Sequence, residues 1–192
     1  IVFGLVGSEM CIRDRDYPNL VKTAKDIIKY GAEGITIHPR PDERHIKYSD
    51  AHDLKENITT ELNIEGNPSQ KFINMVCKVK PEQVTLVPDK DDAITSNSGW
   101  DTINNFYFLN DVVNEFQLKS IRVSIFVDPD YKMVEGAKKI NADRVELFTG
   151  PYAKQYLNDK NNAINKYVKC AEAANKIGIE LNAGHDLNQQ NL

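Results

Sequence analysis

Apolar residues along the chain alternate between two spacings, one typical of helices and one typical of buried strands. After Pro18, apolar side chains recur at helical spacing from Leu20 to Ile28, and Gly31 follows as a stop signal. The next segment, residues 34–38, is a short run of the kind found in buried strands. The pattern therefore predicts a helix that leads directly into a strand.

The same order repeats through the rest of the chain. Further strands are predicted near residues 62–64, 84–87, 121–127, 145–148 and 179–181. Helical spacing marks residues 72–76, 106–116, 134–140 and 164–177. Strands that alternate with helices indicate a parallel sheet wrapped by crossover helices, and repeats of roughly 20–40 residues suit a (β/α)8 barrel.

The length of the chain limits how complete this barrel can be. A barrel of this class takes about 250 residues, whereas the chain has 192. We therefore predict an α/β fold, a TIM barrel truncated at both ends with about six of its eight units present. An open doubly wound sheet would need no missing units. However, no strand precedes a GxGxxG or Walker loop, the usual nucleotide-binding feature of that fold.

The first fifteen residues do not follow the pattern. The run GLVGSEMCIRDR, residues 4–15, resembles the translation of a sequencing adapter more than a protein segment. It also lacks the small-residue cleavage site of a signal peptide. We therefore divide the chain into a non-native leader, residues 1–15, and a partial barrel domain, residues 16–192.

Composition limits the partners and the compartment. The net charge is -4 and there is no long basic run, which argues against nucleic-acid binding. No apolar stretch approaches the roughly 20 residues that span a bilayer. The three cysteines are widely spaced and odd in number, which favours a reducing compartment. We expect a cytoplasmic protein without a nucleic-acid or membrane partner.

Polar side chains concentrate where the predicted strands end, which is where barrel enzymes place their active sites. His38 and His45 follow the first predicted strand, Glu65 ends the next, and His185 follows the last. A lone histidine is more often a structural hydrogen-bonding residue than a catalyst. The shared location of these groups instead indicates general acid–base chemistry near neutral pH.

Two further features admit more than one interpretation. Glu146 lies between Val145 and Leu147 in an apolar strand, so it is predicted to point into the barrel, where a carboxylate must be paired or have its pKa raised. Arg40 and Arg44 are able to bind a phosphate or carboxylate in a fork, but they equally suit a solvated charged loop.

Six motifs at these strand ends resemble successive motifs of the pyridoxine 5'-phosphate synthase family. In chain order they are HPRPDERH from His38, LNIE from Leu62, LVPDK from Leu86, SIFVD from Ser124, VELFTGPY from Val145 and LNAGHDL from Leu181. The resemblance covers residues 17–192. Each motif alone is weak, but their common order and compatible spacing make the combination specific.

The resemblance implies a defined reaction. The family condenses 1-deoxy-D-xylulose 5-phosphate with 3-amino-2-oxopropyl phosphate, forms pyridoxine 5'-phosphate, and releases phosphate and water. It uses no metal or organic cofactor and forms cytoplasmic homo-octamers. Four residues match the family's catalytic groups: His38 and Glu65 as the acid–base pair, His185 as the proton donor, and Glu146 as the buried carboxylate that stabilises transition states.

Four more residues match substrate contacts of the family. Arg40, His45 and Thr95 correspond to contacts with the deoxyxylulose phosphate. Asp186 corresponds to a contact with the amino-ketone phosphate, made by its main-chain N–H because a glycine also occurs there in the family.

By the same resemblance, the family's first strand, with an Asn-x-Asp-His run, is expected before Tyr17, where the adapter-like run stands, and its eighth strand, with a phosphate-binding Gly-His pair, is expected after Leu192. We therefore expect that the barrel does not close and that the 192-residue chain alone is inactive. Two alternatives remain open. One is a metal-dependent sugar-phosphate isomerase, and the other is a non-catalytic phosphosugar-binding barrel. The metal ligands of the first would be His38, His45, Glu65, Glu146 and His185.

Overall fold

The structure is a computed structural model that describes residues 3–4, 19–89 and 95–192. Its strands are β1 (Phe3–Gly4), β2 (Gly34–Ile37), β3 (Glu61–Gly66), β4 (Gln83–Leu86), β5 (Arg122–Val127), β6 (Arg144–Phe148) and β7 (Glu180–Gly184). Its helices are α1 (Leu20–Lys29), α2 (Tyr48–Asn57), α3 (Gln70–Val79), α4 (Phe106–Gln117), α5 (Tyr131–Lys139), α6 (Gly150–Tyr156) and α7 (Lys160–Ile177).

The strands form one parallel sheet in chain order. Each strand from β1 to β6 pairs with the next, as in the registers Gly34 with Glu61 and Glu146 with Asn182. Among the described residues no ladder joins β7 to β1, so the sheet is a curled half-barrel. The predicted truncated α/β barrel is confirmed.

The six predicted strands are all present, with boundaries that differ by a few residues. The structure adds β1, which lies within the segment that the sequence pattern set aside and pairs with Ile35 and Thr36 of β2. It also adds the short helix α6, which begins at Gly150 with a proline in its first turn. A proline there suits a helix start, because its missing N–H has no helical partner at that position.

The core lies between the sheet and the helices. Strand residues at every second position are buried and pack against apolar helix residues, as the alternation of side chains along a strand requires. The strand side of this core includes Ile35, Leu62, Ile64, Val84, Leu86, Val123, Ile125, Val145 and Leu147. Phe72, Leu109, Phe116 and Val134 are among the helix residues that cover them.

The opposite face of the sheet is polar near its middle. The buried Asn63 accepts hydrogen bonds from Gln83 Nε2 at 3.3 Å and from Thr85 Oγ1 at 3.0 Å. Asn63 Nδ2 also donates to Thr36 Oγ1 at 3.3 Å. Because these residues belong to β2, β3 and β4, the inner face is tied together by side chains as well as by its backbone ladders.

Charged residues continue this inner network toward the amino ends of the strands. Arg122 and Arg144 each donate to Gln83 Oε1 at 3.0 Å. Arg122 also pairs with Glu61, and Arg144 pairs with Glu180. These contacts link β3 to β7 at the end of the sheet opposite the predicted site.

No helix within the described ranges is long and apolar enough to cross a bilayer.

Candidate active site

The predicted site residues lie along one edge of the sheet. His38 directly follows β2, Glu65 is the second-last residue of β3, and His185 directly follows β7. Glu146 is central in β6. Since the strands are parallel, their carboxyl ends meet at the same edge, so residues far apart in sequence come together.

His38 and Glu65 form a close pair. His38 Nδ1 lies 3.9 Å from Glu65 Oε2, and the two side chains are 20% and 21% exposed. Removal from water, together with the positive charge of Arg40, lowers the pKa of His38 to about 4. Removal from water also raises the pKa of Glu65 well above its usual range, assisted by the negative charge of Glu146. Glu65 therefore holds its proton to higher pH than an ordinary glutamate, while His38 is neutral at neutral pH.

Glu146 lies on the inner face of the sheet, between two residues of the helix-facing core. Removal from water raises the pKa of Glu146 to about 7, although Arg144 opposes the shift. The carboxylate sits against the backbone of β7, where a Cβ at Gly184 would lie only 2.5 Å from Glu146 Oε1. Glycine at position 184 thus leaves the space that this carboxylate occupies.

The imidazole of His185 is contacted on several sides. Its Nε2 lies 3.2 Å from Thr95 Oγ1, and its Nδ1 lies 3.2 Å from Asp186 Oδ2. The ring of Phe148 meets it edge-on, with centroids 5.0 Å apart. The charge of His185 also lowers the pKa of His38, so the two histidines belong to one electrostatic cluster.

Arg40 is buried rather than solvated. Its residue exposure is 7%, and its Nη1 lies 3.3 Å from Asp89 Oδ2. Ser96 Oγ donates to the same Asp89 oxygen at 2.6 Å. Arg44, in contrast, pairs with Asp42 and is 28% exposed. The solvated-loop interpretation therefore suits Arg44 but not Arg40.

The remaining predicted residues have less enclosed positions. His45 is half-buried in the connection between β2 and α2, while Thr95 and Asp186 are exposed. Among the described residues, no three or more His, Cys, Asp and Glu side chains are grouped so that they could hold a metal ion.

Two residues at the site were not predicted from the sequence. Asp89 pairs with Arg40, and Thr149 donates from its hydroxyl to the carbonyl oxygens of Gly184 and His185. Both lie inside motifs that were recognised, but their partners are far away in sequence. An acidic residue at the end of a strand was the only available signal for Asp89.

Solved structures with low sequence identity show the fold alone. A mandelate oxidase with benzoyl-formic acid matches 87% of this chain and 57% of its own length, with a TM-score of 0.61 and 11% identity. A member of the enolase superfamily from Listeria innocua matches 99% of this chain and 44% of its own length, with a TM-score of 0.58 and 13% identity.

Sequence comparison gives the family. The chain is 57% identical over 180 residues to the pyridoxine 5'-phosphate synthases of Flavobacterium johnsoniae and Cytophaga hutchinsonii. Each match covers 94% of this chain and 76% of the relative. The model of the family described as "Pyridoxal phosphate biosynthesis protein PdxJ" matches residues 11–192. The chain therefore belongs to the PdxJ family of pyridoxal phosphate biosynthesis proteins.

Proposed function

We propose that this protein is a pyridoxine 5'-phosphate synthase that condenses 1-deoxy-D-xylulose 5-phosphate with 3-amino-2-oxopropyl phosphate. The observation that carries the proposal is the pairing of His38 with Glu65, whose pKa is raised by burial, beside Glu146 and His185 at one edge of the sheet. Relatives more than half identical to this chain carry the same name.

The chemistry of the condensation suits these groups. Addition of an amine to a ketone, dehydration and elimination of phosphate all require protons to move to and from substrate atoms. A neutral imidazole at His38 can accept a proton, while the raised pKa of Glu65 favours the protonated carboxyl, which can donate one. Glu146, with a pKa of about 7, can stabilise positive charge as a carboxylate or exchange a proton near neutral pH.

His185 completes the set as the proposed proton donor to the leaving oxygen. Its imidazole has Thr95 Oγ1 3.2 Å from Nε2 and Asp186 Oδ2 3.2 Å from Nδ1. The site therefore contains separate groups for accepting and for donating protons.

Substrate binding is proposed for Arg40, His45 and Thr95 toward the deoxyxylulose phosphate, and for the main-chain N–H of Asp186 toward the amino-ketone phosphate. Arg40 supports this assignment because its guanidinium is buried at the strand ends and lies 3.3 Å from Asp89 Oδ2, and a planar guanidinium suits the geometry of a phosphate. We further propose a cytoplasmic homo-octamer that requires no metal or organic cofactor.

The test uses the full-length gene product that contains this sequence, because the chain spans 76% of the length of the matched relatives. Both phosphorylated substrates are supplied, and pyridoxine 5'-phosphate and inorganic phosphate are measured. Glu65→Gln is expected to lower kcat by at least about a hundredfold, in the range typical of general acid–base groups. Glu61→Gln is the matched control, since Glu61 lies on the same strand but pairs with Arg122 at the opposite end.

A folded full-length protein that forms no pyridoxine 5'-phosphate would contradict the proposal. Activity that depends on a stoichiometric divalent metal would favour the isomerase alternative, with sugar-phosphate isomerisation as the next assay. Binding of both phosphates without turnover, unchanged in His38→Gln and Glu65→Gln, would favour a binding protein. Inactivity of the 192-residue chain alone stays a prediction, to be tested in the same assay.

A further inference from the structure

The backbone at the end of β7 has an uncommon conformation. His185 has a φ of 96° and Asp186 a φ of 57°, and neither is a glycine. Left-handed backbone at such residues persists only where surrounding contacts hold it in place, and it often occurs at functional sites. The contacts around His185 therefore decide where its imidazole points.

Thr149 supplies several of these contacts. It is 3% exposed and directly follows β6. Its backbone N–H donates to Gly184 O at 3.0 Å, and its hydroxyl donates to the same oxygen at 2.6 Å and to His185 O. The carbonyl oxygens of Gly184 and His185 are therefore both bound by Thr149, the residue that follows the neighbouring strand β6.

The hydroxyl of Thr149 is not used to cap its own helix. Thr149 is the N-cap residue of α6, a position where threonine usually accepts a hydrogen bond from the first helical turn. Here its side chain makes no such bond. The hydroxyl is instead directed across the sheet to β7.

The residue before Thr149 contacts the same imidazole. The Phe148 ring meets His185 at an interplanar angle of 86°. A Cβ at Gly150 would lie 2.4 Å from the Phe148 ring, so the glycine after Thr149 lets that ring occupy its place. Residues 148–150 thus hold His185 in two ways: Thr149 binds the His185 backbone, and the Phe148 ring contacts the His185 imidazole.

We propose that Thr149 is a positioning residue that holds His185 in the orientation needed for proton donation. The inference rests on the proposed function, in which His185 is the proton donor. Thr149 itself need not touch substrate, because its effect passes through the His185 backbone.

The test compares Thr149→Val, which keeps the shape but removes the hydroxyl, with Thr149→Ser, which keeps the hydroxyl. The full-length protein is used. Thr149→Val is expected to lower kcat by roughly ten- to a hundredfold, as small misplacements of catalytic groups do, while KM stays within about twofold. Thr149→Ser is expected to restore kcat to within a few-fold of the unmodified protein. The pH titration of the His185 imidazole, followed by NMR, should change in the valine variant only.

Thr102→Val is the matched control for loss of a buried threonine hydroxyl. Thr102 is fully buried, and its hydroxyl donates to Met133 O at 2.9 Å, away from His185. It should lower the melting temperature without changing kcat or the His185 titration. If Thr149→Val does not fold, Thr149→Cys takes its place, because a thiol is a weaker donor of similar size.

The two proposals fail in different ways. An unmodified protein that makes no product contradicts the proposed function, and the His185 titration then decides the role of Thr149 alone. An active protein in which His185→Gln abolishes turnover, but a folded Thr149→Val (or Thr149→Cys) keeps both kcat and the His185 titration, overturns the role of Thr149.

Discussion

Gly184→Ala tests whether the position of the Glu146 carboxylate matters for turnover. The added Cβ would lie 2.5 Å from Glu146 Oε1 and 3.3 Å from its Cδ. An ordinary carbon–oxygen contact is longer by roughly half an ångström to an ångström, so the carboxylate must move by about that much. Gly184 does not have a positive φ, so alanine introduces the contact without backbone strain.

A displacement of this size is expected to lower kcat by about ten- to a hundredfold. Overpacking should also destabilise the fold by about 1–3 kcal/mol. The assay measures kcat, KM and the free energy of unfolding in urea. Gly136→Ala is the control. Gly136 lies in α5, away from the site, and its Cβ would lie 2.1 Å from Thr102 Oγ1. It should lose stability but retain kcat.

A double-mutant cycle refines the test. In a Glu146→Ala background the carboxylate is absent, so adding Gly184→Ala should cause little further loss of kcat. An unchanged kcat in Gly184→Ala, or full additivity of the two substitutions, would refute the argument that Gly184 provides space for Glu146.

Two further predictions concern charged groups at the site. Asp89→Asn removes the negative charge beside Arg40 and is expected to raise KM for the deoxyxylulose phosphate by several-fold more than it lowers kcat. Asp42→Asn, which removes the carboxylate paired with the exposed Arg44, should leave KM unchanged. Equal effects of the two substitutions on KM would contradict the assignment of Arg40 to substrate binding. The unmodified protein is expected to lose stability as the pH rises from 4.5 to about 7, and Glu146→Gln should abolish that loss. The free energy of unfolding in urea is measured across that pH range.

Most of the fold was predictable because one face of the sheet is continuously apolar. Ile35, Leu62 and Val145 are fully buried against helices, and such positions produce the apolar runs that mark strands. Glu146 was also recognisable, since a lone carboxylate between two core residues must face the other side of a strand.

The supporting residues were less accessible to sequence reasoning. Asp89 lies 49 positions from Arg40, and Thr149 lies 36 positions from His185. No local spacing rule connects residues so far apart, and an N-cap threonine ordinarily predicts only a helix start. The role of each depends on which strand ends the parallel sheet brings together. Strand β1 was missed for a different reason, because residues 1–15 were set aside as a non-native leader.

The sign of the pH effect at Glu146 follows from where its proton is bound. The pKa of Glu146 is raised from 4.5 to about 7 in the folded protein, so between these values the folded state holds a proton that the unfolded state has released. The free energy of unfolding contributed by Glu146 is therefore fully present below pH 4.5 and lost as the pH rises through about 7. A shift of this size corresponds to at most about 3.5 kcal/mol. Glutamine is neutral throughout, so the variant should show a flatter profile than the unmodified protein. Glu61→Gln again serves as control, and identical profiles for Glu146→Gln and the unmodified protein would show that Glu146 is already ionised in the fold.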